Sequence, residues 1–233
     1  MNQVSIGKDL HISTMTAVAR VEPGTYIVPP KDALAVFAQY IPPKTRCNKF
    51  NNQYTILIPP PAGVPGKGIS CKVFRNGVVQ LSGLRSYEDQ FRVKDIFASV
   101  GYMSLEQFKI AMINTNYAIN RPLNLYNTAI YFKQYGLHIS FDPQRLRGVH
   151  VKYMYKEEGH QDGKCTCLQY GKEPGPSEKK EPDIIKKKRK KKCECIPITI
   201  MLFATGKIVI TGAKDIKQTI EAYNFINQHL TLL

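Results

Sequence analysis

The stretch IMLFATGKIVITGAKD, Ile200 to Asp215, consists of two apolar, β-branched runs separated by Ala204-Thr205-Gly206-Lys207. Turn residues between such runs predict a β-hairpin. Successive strand side chains point to opposite faces, so Leu202, Ile208 and Ile210 share one side while Met201, Phe203, Val209 and Thr211 share the other. Both sides are apolar or nearly so. One can pack beneath the helix predicted next, in which Ile216, Ile220, Tyr223, Ile226 and Leu230 form a single stripe. The other side needs a different cover.

The hairpin has a counterpart earlier in the chain. CKVFRNGVVQLSG, Cys71 to Gly83, aligns on Ile200 to Gly212 without gaps, matching Phe74 to Phe203, Gly77 to Gly206, Val79 to Ile208 and Ser82 to Thr211 at an offset of 129. Upstream, AVFAQY at Ala35 to Tyr40 matches IYFKQY at Ile130 to Tyr135 at an offset of 95. A duplication followed by one insertion explains both offsets. Composition locates the insertion at Lys156 to Cys195, which is polar, bears Pro and Gly, and has too few apolar residues to form a core. The expected organisation is a first repeat at 1–104 and a second at 105–233, interrupted at about 156–195. Each reads as strand, helix, strand, extended connection, hairpin, helix. Asp32, Ala33, Leu34, Phe37 and Ile41 begin and line the early helix of the first repeat. Ser86 and Asp89 are spaced as a capping box for its late helix, whose stripe is Val93, Ile96, Phe97 and Val100. An α+β fold follows, with helices on one side of an antiparallel sheet and the other side open.

At 233 residues and 43% hydrophobic content the chain can bury a core, and a net charge of +15 points to an anionic partner, with nucleic acid foremost. No apolar run approaches the ~20 residues of a membrane span. The first residues lack the apolar core of a signal peptide, so an intracellular setting with reduced cysteines is expected. His11, His138, His150, His160 and His229 show no metal or triad spacing, and no phosphate loop or catalytic carboxylate pair stands out. The chain does not read as an enzyme. An open apolar sheet face beside basic charge reads instead as a binding surface, in the manner of proteins that push apolar wedges into the DNA minor groove.

LFATGKIVITGAK resembles the second-repeat hairpin of the TATA-box-binding protein family, and VFRNGVVQLSG resembles a weakened form of the first. FKIAMINTNYAINRPLNLYN, FDPQRLRGVHVKYM and NKFNNQYTILI extend the resemblance over most of the chain. It implies a saddle of two pseudo-symmetric repeats, a curved antiparallel sheet with helices on the convex face, whose concave face binds and bends A·T-rich promoter DNA from the minor groove. Double-stranded DNA is the implied partner, with a transcription-factor IIB-like factor and RNA polymerase beyond it. The wedge positions carried over are Phe50, Phe74, Leu146 and Phe203. Leu146 departs from the family's Phe and stacks less well, which implies one shallower kink. Ile12 and Met112 fall where the family has Asn at the saddle centre, and neither offers the amide donors. Val209 keeps a groove-floor valine, Gln80 and Asn114 replace two others, and the fourth falls near Thr14 in a strand that aligns poorly. Thr211 and Ser82 match hydroxyl-bearing positions, and Lys49, Lys152 and Lys207 match backbone contacts. Minor-groove readout is already degenerate, so losing the central donors implies relaxed specificity. The alternative is an architectural nucleic-acid binder without a promoter role. Such departures fit a divergent paralogue or a viral version.

Two features of the insertion stand apart. Cys165, Cys167, Cys193 and Cys195 form two C-x-C pairs, which fit a structural Zn²⁺ site, a reduced metal-free loop or a disulfide. Between them, KKKRKKK at Lys186 to Lys192 reads as a nuclear-targeting signal or as a tail that tracks DNA, and places the chain in the nucleus or in a viral transcription compartment. The tail reading expects the insertion to leave the sheet near the wedges.

Overall fold

The computed structural model describes residues 9–41, 52–101, 103–145, 147–157, 162–165 and 193–233. Lys49, Phe50, Leu146, Cys167 and the basic run lie outside them. Among the described residues the chain forms one nine-stranded antiparallel sheet with helices packed on one face. In order the elements are β1 (His11–Val21), α1 (Ala33–Val36), β2 (Gln53–Ile58), β3 (Ile69–Phe74), β4 (Val78–Leu84), α2 (Asp89–Gly101), β5 (Leu105–Ala118), α3 (Leu125–Tyr135), β6 (His138–Ser140), β7 (Gly148–Tyr155), β8 (Ile196–Phe203), β9 (Lys207–Ala213) and α4 (Ile216–Leu230). Across the sheet the strands run β2-β3-β4-β1-β5-β9-β8-β7-β6, so β1 and β5 meet at the centre with one hairpin outside each.

The ladder registers carry the repeat into three dimensions. Ser70 opposes Ser82 as Thr199 opposes Thr211, and Thr16 opposes Ser82 as Asn114 opposes Thr211. Backbone conformation repeats too. Gly77 and Gly206 close the two hairpin turns at φ +78° and +80°, a region that side chains avoid. Each turn docks on the strand beside it: the Gly77 carbonyl accepts from Val21 N at 2.8 Å and that of Gly206 from Ile119 N at 3.0 Å.

Burial separates the two faces. In β8 and β9, Ile198, Ile200, Leu202, Ile208 and Ile210 are fully buried beneath the helices, while Thr199, Met201, Phe203, Val209 and Thr211 remain half-buried on the opposite face. The helix-side residues form two clusters. One is built around Phe37, Ile56, Leu81, Val93 and Phe97, the other around Phe132, Val151, Tyr153, Ile200 and Ile226. They are stitched together, because Leu10, just before β1, belongs to the second cluster and Ile216 of α4 packs on the first.

Helix ends follow local chemistry. The Asp89 carboxylate accepts from Arg85 N at 2.7 Å and Ser86 N at 3.3 Å, which is the acidic half of the capping box. Asn124 caps α3 and Asp215 caps α4 through their side chains, each worth about 1 kcal/mol. The early helix of the first repeat departs from expectation. It is a single turn continued by a 3-10 turn over Ala38–Tyr40, and its Asp32 side chain makes no cap. Ala33 and Phe37 face the core as expected, but Leu34 is 62% exposed, since so short a helix buries only one flank.

A Cβ on Gly206 would lie 2.4 Å from the Arg121 carbonyl oxygen and 2.7 Å from that of Ile119, whereas one on Gly24, at φ +84°, meets nothing within 4 Å. Gly24→Ala is expected to cost about 1–2 kcal/mol for its left-handed backbone alone. Gly206→Ala is expected to cost about 3 kcal/mol or more, because the docked turn must also move. Urea midpoints measure the difference, and equal midpoints would remove the docked turn from the account of stability.

Candidate nucleic-acid interface

The face away from the helices is organised as rows of side chains running across the strands. In the second half, Lys152, Thr199, Thr211, Asn114 and Thr14 succeed one another by direct pairing from β7 to β1. Their hydroxyls and amides are hydrogen-bonded in two groups. Lys152 Nζ donates to Thr199 Oγ1 at 2.6 Å, Thr211 Oγ1 donates to Asn114 Oδ1, and Asn114 Nδ2 donates to Thr14 Oγ1 at 3.2 Å. The equivalent row of the first half is Leu57, Ser70, Ser82, Thr16 and Met112. A lysine at one end is thus matched by an exposed leucine at the other.

The next rows outward differ in charge. Thr55, Lys72, Gln80, Val18 and Lys109 lie in register in the first half, and His150, Met201, Val209, Asn116 and His11 in the second. Lys72, Lys109 and Lys207 are exposed and make no ion pair among the described residues. Like-charged groups on one face that make no ion pair among the described residues favour a polyanion.

Phe74 and Phe203 each end the first strand of a hairpin, immediately before its turn, and both are half-buried on this face. Phe203 opposes Gly148, where an added Cβ would lie 2.7 Å from the Leu202 carbonyl oxygen and 3.1 Å from the Phe203 ring. The missing side chain lets the ring lie against the neighbouring strand. Beside it opens a cleft of about 910 Å³, lined by His11, Asn116, Arg147, Lys207 and Val209. His11 Nδ1 is shielded there without a hydrogen-bond partner among the described residues.

Of the residues singled out from sequence, Phe74, Phe203, Gln80, Ser82, Met112, Lys152, Lys207, Val209 and Thr211 come together on this face or at its hairpin ends. Phe50, Leu146 and Lys49 lie outside the described residues. Ile12 is corrected. It is 4% exposed in the helix-side core, opposite the fully buried Thr115. An irregularity between Ile12 and Thr14 shifts the register, so that Thr14 reaches the open face opposite Asn114, just as Met112 does opposite Thr16. Sequence reasoning missed Thr16, Lys72, Lys109 and Asn116. The repeat offset could have found Lys72, whose counterpart is Met201; the others lie on strands whose bulges break the offset.

The exit of the insertion is also corrected. Tyr155 pairs with Ile196 at one end of the β7–β8 ladder and Gly148 with Phe203 at the other. The insertion leaves the end of the ladder remote from the wedge, about 24 Å away along an extended strand.

A family model for "Transcription factor TFIID (or TATA-binding protein, TBP)" matches residues 178–233, which take in β8, β9 and α4. A TATA-box-binding protein-like protein of Acanthamoeba polyphaga mimivirus is 26% identical over 208 aligned positions, covering 81% of this chain. The chain spans about half the length of that relative, 50%. The solved structure of Methanococcus jannaschii TBP superposes with a TM-score of 0.59 at 15% identity, covering 97% of this chain and 99% of that one. The matched family and fold are those of non-enzymatic factors. The family model takes in the second hairpin and its helix, while the relative and the superposed structure extend the likeness over most of the chain: in sequence and in fold the chain is similar to TBP-like proteins.

Proposed function

We propose that the open face binds duplex DNA through its minor groove and bends it, with Phe74 and Phe203 as apolar wedges, in the service of transcription initiation. The observation that carries this reading is the uncovered sheet face itself, with a half-buried Phe at the same place in each hairpin and, between them, lysines that make no ion pair among the described residues. An uncovered face that mixes Phe, Met and Val with hydroxyls, amides and lysines suits a partner with both apolar and polar surface, and the basic charge selects an anionic one. The rows of hydroxyls and amides would meet base edges and sugars, and Lys72, Lys109 and Lys207 the phosphates. A second reading, an architectural binder without a promoter role, draws on the saddle centre. Thr14, Thr16, Met112 and Asn114 offer a single side-chain amide there, and it is already engaged with Thr14. In the promoter reading, a factor resembling transcription factor IIB and an RNA polymerase follow as partners, in the nucleus or a viral transcription compartment.

Replacing Phe74 and Phe203 together by Ala is expected to abolish the rise in end-to-end fluorescence transfer on a labelled A·T-rich duplex while the protein still binds. Unchanged bending would remove the wedge role from these two residues.

Preference for an A·T-rich site over its G·C-rich shuffle is expected to stay below ~10³-fold, the lower bound of specific binders. Competition binding at one fixed salt concentration measures it, and a larger ratio would restore a base-reading centre.

Neutralising Lys186 to Lys192 is expected to flatten the dependence of log K on log salt, by about 0.9 for each phosphate that the run neutralises, and to weaken both sites alike. Bending should persist, since the insertion leaves the sheet away from Phe203. A wild-type salt slope with loss of nuclear accumulation in a tagged chain would leave the run a targeting signal alone.

A further inference from the structure

We infer that Cys165, Cys193 and Cys195 are ligands of a structural zinc ion that clasps the base of the insertion. The three sulfurs lie within 4.8 Å of one another. Cys165 Sγ is 3.5 Å from Cys193 Sγ and 3.7 Å from Cys195 Sγ. A disulfide would bring two sulfurs to about 2.05 Å. Zinc–thiolate bonds of about 2.3 Å in a tetrahedron set its edges near 3.8 Å. The observed separations match that edge rather than a bond, and they are closer than three unrelated thiols need to be.

The two sides of the cluster are delivered by separate built segments. Cys193 and Cys195 immediately precede β8, and Cys195 is buried. Cys165 follows a short turn fastened to the sheet. Its Gly163 carbonyl accepts from Met154 N at 2.9 Å, the Asp162 side chain accepts from Lys164 N at 3.0 Å, and Lys164 Nζ sits 4.1 Å from the centre of the Tyr135 ring at the end of α3. Gly163, at φ +73°, lies so close that a Cβ would be 2.7 Å from the Tyr153 ring. This anchorage costs the chain conformational freedom, and its result is to hold one thiol against two others from the far side of the insertion. Three thiolates leave one tetrahedral vertex. Cys167 is the sequence expectation for it and lies outside the described residues, so the inference stands on the other three.

Cys71 provides the contrast. It is buried in the first-half core with no second thiol near it among the described residues, and burial pushes its thiol up to about 12, as befits an inert side chain.

The test is metal content of the full chain, expressed without a polyhistidine tag and dialysed against a weak chelator. About one zinc per chain by plasma mass spectrometry is expected, and replacement by Co²⁺ should give the thiolate-to-metal charge-transfer and intense visible bands of a tetrahedral sulfur site. Cys193→Ser and Cys165→Ser should lose stoichiometric metal, whereas Cys71→Ala should keep it, with far-ultraviolet circular dichroism reporting the fold of each. A metal-free wild-type chain overturns the inference, whether its thiols react freely or are found oxidised to a disulfide, and so does full metal retention in folded Cys165→Ser. The wild-type measurements need no variant and do not depend on whether the open face binds DNA.

Discussion

The pairing of β1 with β5 is the constraint on which the rest depends. Either half alone would leave a long central strand as an exposed edge, a template for association with other chains. Antiparallel pairing of the two removes both edges at once and makes one continuous sheet. It also places Thr14 against Asn114 and Thr16 against Met112, so the pseudo-twofold axis passes between these pairs. Everything outward, two hairpins, two late helices and two Phe-bearing turns, is arranged by that axis. The bulges in the central ladder permit the twist that a curved sheet of nine strands requires.

The two halves are alike in backbone and unlike in chemistry. The second presents two hydrogen-bonded groups, Lys152 with Thr199 and Thr211 with Asn114 and Thr14, so its polar side chains are already aimed and partnered. The first presents Leu57, two serines and a threonine, with its charge one row out at Lys72 and Lys109. A pre-bonded row loses little freedom when a ligand arrives, while exposed lysines supply attraction at a distance.

Much of this was legible in the amino-acid sequence because strand periodicity is local and the duplicated hairpins kept their length. Leu202, Ile208 and Ile210 turn inward, and Phe203, Val209 and Thr211 outward, on the strength of alternation alone. What escaped was whatever depends on ladder irregularity or on where a long excursion begins. A residue looped out at Ser13 reverses the facing of Ile12 relative to Thr14, and nothing in HIST marks it. The 3-10 continuation that leaves Leu34 outside depends on packing around Phe37 rather than on helical spacing. The C-x-C pairs announced a candidate ligand set, but only the fold brings thiols 28 residues apart to 3.5 Å. The exit of the insertion was misplaced because antiparallel pairing puts the loop of a hairpin at one end of its ladder and both its termini, here Gly148 and Phe203, at the other.

That exit has an evolutionary consequence. Tyr155 and Ile196 are direct ladder partners, so the forty intervening residues are thermodynamically an enlarged hairpin loop between neighbouring backbone positions. The entropy of closing such a loop grows only logarithmically, about 0.6 kcal/mol for each doubling of length. The site can therefore gain, lose or exchange sequence over generations at almost no cost to the sheet. It is a port through which lineages can acquire new addresses or attachments while the sheet and its open face stay unchanged.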